Sequence, residues 1–329
     1  MLGRFRLRRS LEGRDTPESP SRFGPPGLVA RRAALRAGQP LSVPAEQRDR
    51  LLAAALADVS RGGRIDALAT HRLPADEITE VATDVGPLLM HEGDEVMTPA
   101  IREEGVWEKE EAAWLRRVVQ PGAAALDVGA NVGYFTLLIA QLAGPDGAVV
   151  AVEPETRNLG LLRANLWRHG LDDVAVLPIA GWSSRTLLPL VFSEVNRGDH
   201  QVRPDRADAA AQLVPAGPLD ELLGEHAVLD VVKVDTQGVD HEVIAGLRTT
   251  LARSPDPQVL VEYWLEGMED RGIDPREVLG GYRGLGFELA LLGDDGTATA
   301  ATDDEVIAAC EAWAGRFVNL VLHRPGSLR

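Results

Sequence analysis

Leu126-Asp127-Val128-Gly129-Ala130-Asn131-Val132-Gly133-Tyr134 is the stretch on which the reading of this chain turns. The apolar run Ala123 to Val128 has the length of a buried strand, and Gly133 to Leu142 reads as a helix. Between them the glycines permit a tight turn and close approach of a ligand to the backbone. The helix that follows opens with free N–H groups. A dinucleotide site needs Gly-x-Gly-x-x-Gly. Counting from Gly129, Asn131 and Tyr134 occupy the places of the second and third glycines, and a side chain as bulky as Tyr134 would crowd a pyrophosphate. Asp127 stands at the entrance to the turn. A carboxylate repels pyrophosphate but suits a cationic ligand with an amino group, which favours S-adenosylmethionine (SAM) over a nicotinamide dinucleotide.

Outward from this turn, strands alternate with helices. Ala148 to Val152 is a strand followed by a helix over 155–168. Val174 to Ile179 is a third strand, and Asp230 to Val234 a fourth, followed by a helix over 239–251. Gln258 to Tyr263, Phe287 to Leu292 and Phe317 to His323 are further strands, and Ala112 to Val119 is a helix preceding the first strand. The alternation predicts an α/β fold with a mostly parallel sheet covered on both faces. The stretch 183–217 interrupts the rhythm and reads as an insertion. In such sheets ligands sit at the carboxyl ends of the strands. The second strand ends in Glu153, 26 residues after Asp127 and at the neighbouring tip, where an acid accepts both hydroxyls of a ribose.

Three segments together resemble the FkbM-type SAM-dependent methyltransferases: Asp127-Val-Gly-Ala-Asn-Val-Gly-Tyr134, Val152-Glu-Pro154, and Val232-Lys-Val-Asp-Thr-Gln-Gly-Val-Asp-His-Glu-Val-Ile-Ala-Gly246. Gly105-Val-Trp-Glu108 also matches that pattern, and the resemblance covers about 78–323. It implies a class I, Rossmann-like methyltransferase sheet of seven strands with an antiparallel last strand. It also implies O-methylation of a small-molecule hydroxyl on a sugar, polyketide or other secondary metabolite. Carried over, Asp127, Gly129, Asn131 and Gly133 hold the methionine end of SAM and Glu153 its ribose. Ala180 to Trp182 borders the adenine, with Trp182 placed to stack on it. Asn158 and Asn165 also match the family. Gln237 departs from it, standing where many members carry a carboxylate, which weakens any shared role there and removes one metal ligand.

Methyl transfer to oxygen is an in-line displacement, so alignment of the reacting atoms outweighs base catalysis. His241 is the first candidate base because a neutral imidazole near pH 7 suits the task. His200, in the polar part of the insertion, is the second, and Asp235 at the tip of the fourth strand is a further candidate for orienting substrate. No resident metal is expected. The less favoured alternative is Mg²⁺ held by Asp235 and Glu262 at adjacent strand tips.

The totals narrow the class further. The formal charge is −16, a poor basis for binding a phosphate backbone, so no nucleic-acid partner is expected. Residues 1–50 hold eleven Arg against five acids, +6, leaving −22 on the remainder. Residues 1–44 read as a basic, disordered arm, 45–100 as an extension with a helix over 45–59 and a hairpin around Asp84-Val85-Gly86, and 101–329 as the methyltransferase domain. No run is long and apolar enough for a membrane span or signal peptide, so the expected location is the cytoplasm. The single Cys310 rules out an internal disulfide. The alternatives kept open are a catalytically inactive SAM-binding scaffold and, less favoured, a nucleic-acid methyltransferase, whose usual Pro-Pro-Tyr-type loop is replaced here by Thr236-Gln237-Gly238. Oligomeric state is left open.

Overall fold

A computed structural model describes residues 77–193, 196, 198–205 and 212–329. The arm expected at 1–44 and the helix expected at 45–59 lie outside the described residues. The first described elements are β1 (Ile78–Thr83) and β2 (Gly86–His91), an antiparallel hairpin closed by Asp84 and Val85, with Gly86 at φ 103. Two helices follow, α1 (Met97–Glu104) and α2 (Lys109–Val118). The hairpin is fastened to the body by side chains: the Tyr134 hydroxyl donates to Asp84, and Gln141 donates to the Val85 carbonyl. The bulk of Tyr134 is thus directed into the interior, where it is 1% exposed.

The main alternation runs β3 (Ala124–Val128), α3 (Tyr134–Ala143), β4 (Ala148–Val152), α4 (Thr156–Arg168) and β5 (Ala175–Leu177). Glu155 caps α4 by accepting the Asn158 N–H at 2.6 Å, which satisfies one of the helix's unpaired donors. Next come β6 (Ala180–Gly181), β7 (Thr186–Val191), β8 (Gln201–Val202), β9 (Gln212–Gly217), the short α5 (Leu219–Leu223) and β10 (Val231–Val234). The helix expected over 239–251 is two helices, α6 (Asp240–Gly246) and α7 (Arg248–Arg253), interrupted at Leu247. Gly246 lies so near the Trp182 backbone that a Cβ there would stand 2.2 Å from the Trp182 carbonyl oxygen. The remaining elements are β11 (Gln258–Trp264), α8 (Leu265–Glu269), α9 (Pro275–Gly284), β12 (Glu288–Leu292), β13 (Ala298–Ala300), α10 (Asp303–Ala312) and β14 (Phe317–His323).

The large sheet has the order β13-β12-β14-β11-β10-β3-β4-β5. Strands β5, β4, β3, β10 and β11 pair in parallel, and β14 is antiparallel to both β11 and β12. This is the class I methyltransferase arrangement, with the order reversing between β3 and β10. The expected count of seven strands is corrected to eight. The extra strand, β13, returns beside β12 through a turn with Gly296 at φ 73 and extends the sheet edge.

Alternate residues of β3 serve opposite faces, as a doubly covered sheet requires. Ala125 joins the core under α2 to α4, while Ala124, Leu126 and Val128 join the core under α5 to α10. The 183–217 region forms a separate small sheet of order β6-β9-β7-β8, whose core of Leu188, Leu190, Val202 and Val214 packs on Val239. Among the described residues no helix is long and apolar enough to cross a membrane.

Candidate active site at the strand tips

Register places the site. Val128 pairs with Val152 on one side and with Val234 on the other. The residues leaving β3, β4 and β10, which are Gly129, Glu153 and Asp235, therefore emerge at one level where the strand order reverses. An open cleft lies above them, lined among others by Gly129, Asn131, Glu153, Ala180, His200 and Asp235.

The β3–β4 wall is made largely from backbone. Gly129 has φ 85, and a Cβ on it would stand 1.8 Å from the Asp235 carbonyl oxygen. Only glycine fits that crossing. Asn131 adopts φ 49, a left-handed conformation that asparagine tolerates better than most residues. Its N–H donates to Glu153 Oε2 at 2.8 Å, and the Glu155 N–H donates to Glu153 Oε1 at 2.8 Å. Each oxygen keeps a lone pair for a further donor. Burial pushes the Glu153 carboxyl up to about 8, against the lowering effect of these two amides.

Asp127 and Gly133 support this wall from beneath and do not line the cleft. Asp127 is 1% exposed and accepts the Thr136 hydroxyl at 2.5 Å. Burial raises its carboxyl above the ordinary range. Gly133, at φ 98, packs against Leu162 of α4. Asn165 donates to the carbonyls of Leu89 and Val132, tying the hairpin to the turn, while Asn158 lines the cleft and pairs with His91 at 2.7 Å. The apolar side of the cleft comes from Ile179, Val239 and three small-sheet residues, Ala180, Leu190 and Val202. Trp182 lies outside the lining and packs on the small-sheet core.

On the β10 wall, Asp235 is held at both oxygens: Lys233 Nζ stands 3.1 Å from Oδ2, and Gln237 Nε2 donates to Oδ1 at 2.8 Å. Gln237 sits at φ 57, and its side chain is a donor where a carboxylate would repel Asp235. His200 lines the cleft, stacks on Phe192 at 4.8 Å and accepts the Ser193 N–H at Nδ1. With Nδ1 so engaged, the neutral ring carries its proton on Nε2 and acts there as a donor.

The structure does not bring His241 and Glu262 into the cleft. Both line a second, shallower depression with Tyr263, Trp264 and Tyr282, on the far side of the loop that follows β10. Burial lowers the His241 imidazole below its ordinary value. The Glu262 N–H donates to Asp240 Oδ1, and burial raises the Glu262 carboxyl well above the ordinary range, with Asp235 and Asp240 adding to the rise. Among the described residues no group of three or more His, Cys, Asp or Glu side chains is arranged to hold a metal.

Lys233, Gln237 in its donor role, Leu190, Val202 and Arg271 are site residues that the sequence reading did not single out. Lys233 had a signal, being a charge alone among valines in a buried strand. Arg271 had none. Its guanidinium bonds to the Gly267 and Gln237 carbonyls and to Gln201 Oε1 of β8, beside the Trp264 ring.

The β3–β4 wall suits SAM. It offers a crossing that any Cβ would fill, an acid with free lone pairs at ribose position and an apolar slot between Ile179 and Val202.

Comparison with known proteins agrees with this geometry. Residues 127–289 match the methyltransferase FkbM domain. The AMB antimetabolite synthetase AmbE of Pseudomonas aeruginosa is 30% identical over a 169-residue alignment, which covers 40% of this chain and 8% of the synthetase. Among solved structures, M. jannaschii TYW2 in complex with AdoMet superposes with a TM-score of 0.42 at 12% identity, covering 75% of this chain and 84% of that one. A TehB-like SAM-dependent methyltransferase from Corynebacterium glutamicum gives 0.38 at 11% identity, covering 69% and 94%. The strand order and the domain match, rather than these distant superpositions, carry the assignment: residues 127–289 of this chain form a methyltransferase FkbM domain.

Proposed function

We propose that this methyltransferase acts on a hydroxyl group of a neutral or cationic small molecule, with Asp235 receiving the proton that the hydroxyl loses. The observation that supports it most is the make-up of the cleft. Among the described residues its lining includes the acids Glu153, Glu155 and Asp235 and no Lys or Arg. An anionic acceptor such as a nucleic-acid backbone would meet these acids with no cation among the described lining residues to offset them. The likeness to part of an antimetabolite synthetase favours a biosynthetic small molecule as acceptor.

SAM, when bound, supplies a methyl group on a positively charged sulfur, which is a good leaving group. Gly129 and Asn131 admit its methionine end to the backbone, Asp127 supports the turn from below, and Glu153 accepts the ribose hydroxyls. Ala180 and its apolar neighbours enclose the adenine. Asp235 is the base by elimination. Glu153 is assigned to the ribose, Glu155 caps α4, His200 has its Nδ1 occupied, and His241 lies off the cleft. Orientation of this kind supplies about 7–11 kcal/mol, and a base adds about 10²–10⁴ in rate. No metal is assigned to the reaction.

The test is calorimetric SAM and S-adenosylhomocysteine (SAH) affinity, followed by turnover on a panel of monosaccharides and hydroxylated polyketides read by mass spectrometry. The expected product is a methyl ether. SAM binding with no turnover on any alcohol would leave a binding protein, and methylated RNA would overturn the acceptor class. Asp235→Asn is expected to lower kcat by about 10²–10⁴ while SAM affinity changes little.

A further inference from the structure

Lys233 is a lysine in the interior of a central strand. Its side chain is 2% exposed and its ammonium stands between two carboxylates, 3.1 Å from Asp235 Oδ2 and 3.2 Å from Glu111 Oε2, over the Phe135 ring. Glu111 comes from α2, with its side chain 5% exposed. The residue before that helix is Glu108, whose backbone is left-handed at φ 43 and whose buried Oε2 has no hydrogen-bond partner. The acids that act on Lys233 are Glu108 just before α2, Glu111 within it, Asp127 from β3 and Asp235, with Asp240 and Glu262 beyond them.

A buried ion pair is a poor device for stability alone, because well-packed apolar residues of similar volume serve as well or better. The charge here has a geometric use. Among these acids Asp235 alone also lines the cleft, and Lys233 holds the oxygen opposite the one held by Gln237. A carboxylate gripped at both oxygens keeps one orientation.

We propose that Lys233, braced by Glu111, is a positioning residue for methyl transfer: it holds the Asp235 carboxylate at the angle from which it meets the acceptor hydroxyl. The inference rests on the reading of Asp235 given above. Lys233 takes no proton and touches neither substrate nor cofactor. It acts through Asp235, so its effect depends on Asp235 being a carboxylate.

The experiment is a double-mutant cycle with Lys233→Met and Asp235→Asn. It is read as kcat and KM with SAM and the best acceptor of the hydroxyl panel, as SAH affinity, and as thermal melting. Lys233→Met alone should lower kcat at least 30-fold with SAH affinity within threefold, and shift the pH dependence of kcat. In the Asp235→Asn background the same substitution should change kcat less than threefold, and the melting loss should also shrink. Lys233→Arg should recover part of the rate. Glu111→Gln, which leaves the Lys233–Asp235 pair in place, should lower kcat about fivefold and covers the case in which Lys233→Met does not fold. Equal losses in both backgrounds, or a loss of SAH affinity matching the loss of rate, would overturn the positioning role. A fully active Asp235→Asn would instead overturn the reading of Asp235, and this inference with it.

Discussion

The two walls of the cleft are assembled from different materials. On the β3–β4 side, a glycine crossing, a left-handed asparagine and an acid bonded by two main-chain amides lie within the span 127–155, and the helix that follows is capped within the same span. On the β10 side, the acid at the tip is held by a lysine from the strand interior. That lysine is braced by a glutamate 122 residues earlier, and the rim is completed by the small sheet. The first wall is local backbone geometry that recurs wherever the same few residues recur. The second is a long-range arrangement of side chains.

Breaking the local wall should have the largest effect on the cofactor. Gly129→Ala forces a Cβ to within 1.8 Å of the Asp235 carbonyl oxygen at a φ of 85, and SAM affinity measured by calorimetry should fall more than about 100-fold. Glu153→Gln keeps the shape but replaces one acceptor oxygen with an NH2 donor, which loses one of the two main-chain hydrogen bonds and an acceptor at the ribose contact. The loss should be about 10- to 50-fold in SAM affinity by the same measurement.

The long-range wall is sharpened by pH. Burial holds Glu111 and Asp240 protonated up to about 7 and Glu153 up to about 8, whereas in the unfolded chain such groups ionise near 4. Between those values the folded chain binds more protons than the unfolded one, so stability is full at low pH and declines as pH rises through 7 to 8. Tm should fall from pH 5 to pH 8.5 in calorimetry, and Glu111→Gln should flatten the slope. The smallest effect is expected at His241, which lines the outer depression rather than the cleft: His241→Ala should keep kcat/KM within about threefold of the wild-type value.

What was legible in the sequence follows the same division. The Asp127–Gly133 turn, Glu153 one strand over and the parallel alternation are local signals, and each is found as an element with nearby bounds. Strand β13 was hidden because Ala298-Thr299-Ala300 is only three residues long, carries no large apolar side chain and pairs with β12 through the turn at Gly296. The break between α6 and α7 depends on the Trp182 backbone pressing on Gly246, a contact 64 residues away. Which histidine faces the cleft depends on the course of the loop after Asp235, where Gln237 is left-handed, and residue type alone does not encode that course. The Lys233–Glu111 contact depends on how α2 settles on the sheet.

Arg271 has a bearing on how this architecture can be altered. One guanidinium reaches β8, the loop after β10 and the first turn beyond β11, and so rivets the small sheet to the scaffold at the rim of the cleft. A graft that exchanges the small sheet for that of a relative must bring a matching acceptor for this fork, or the transplanted roof will sit at a different height above the strand tips.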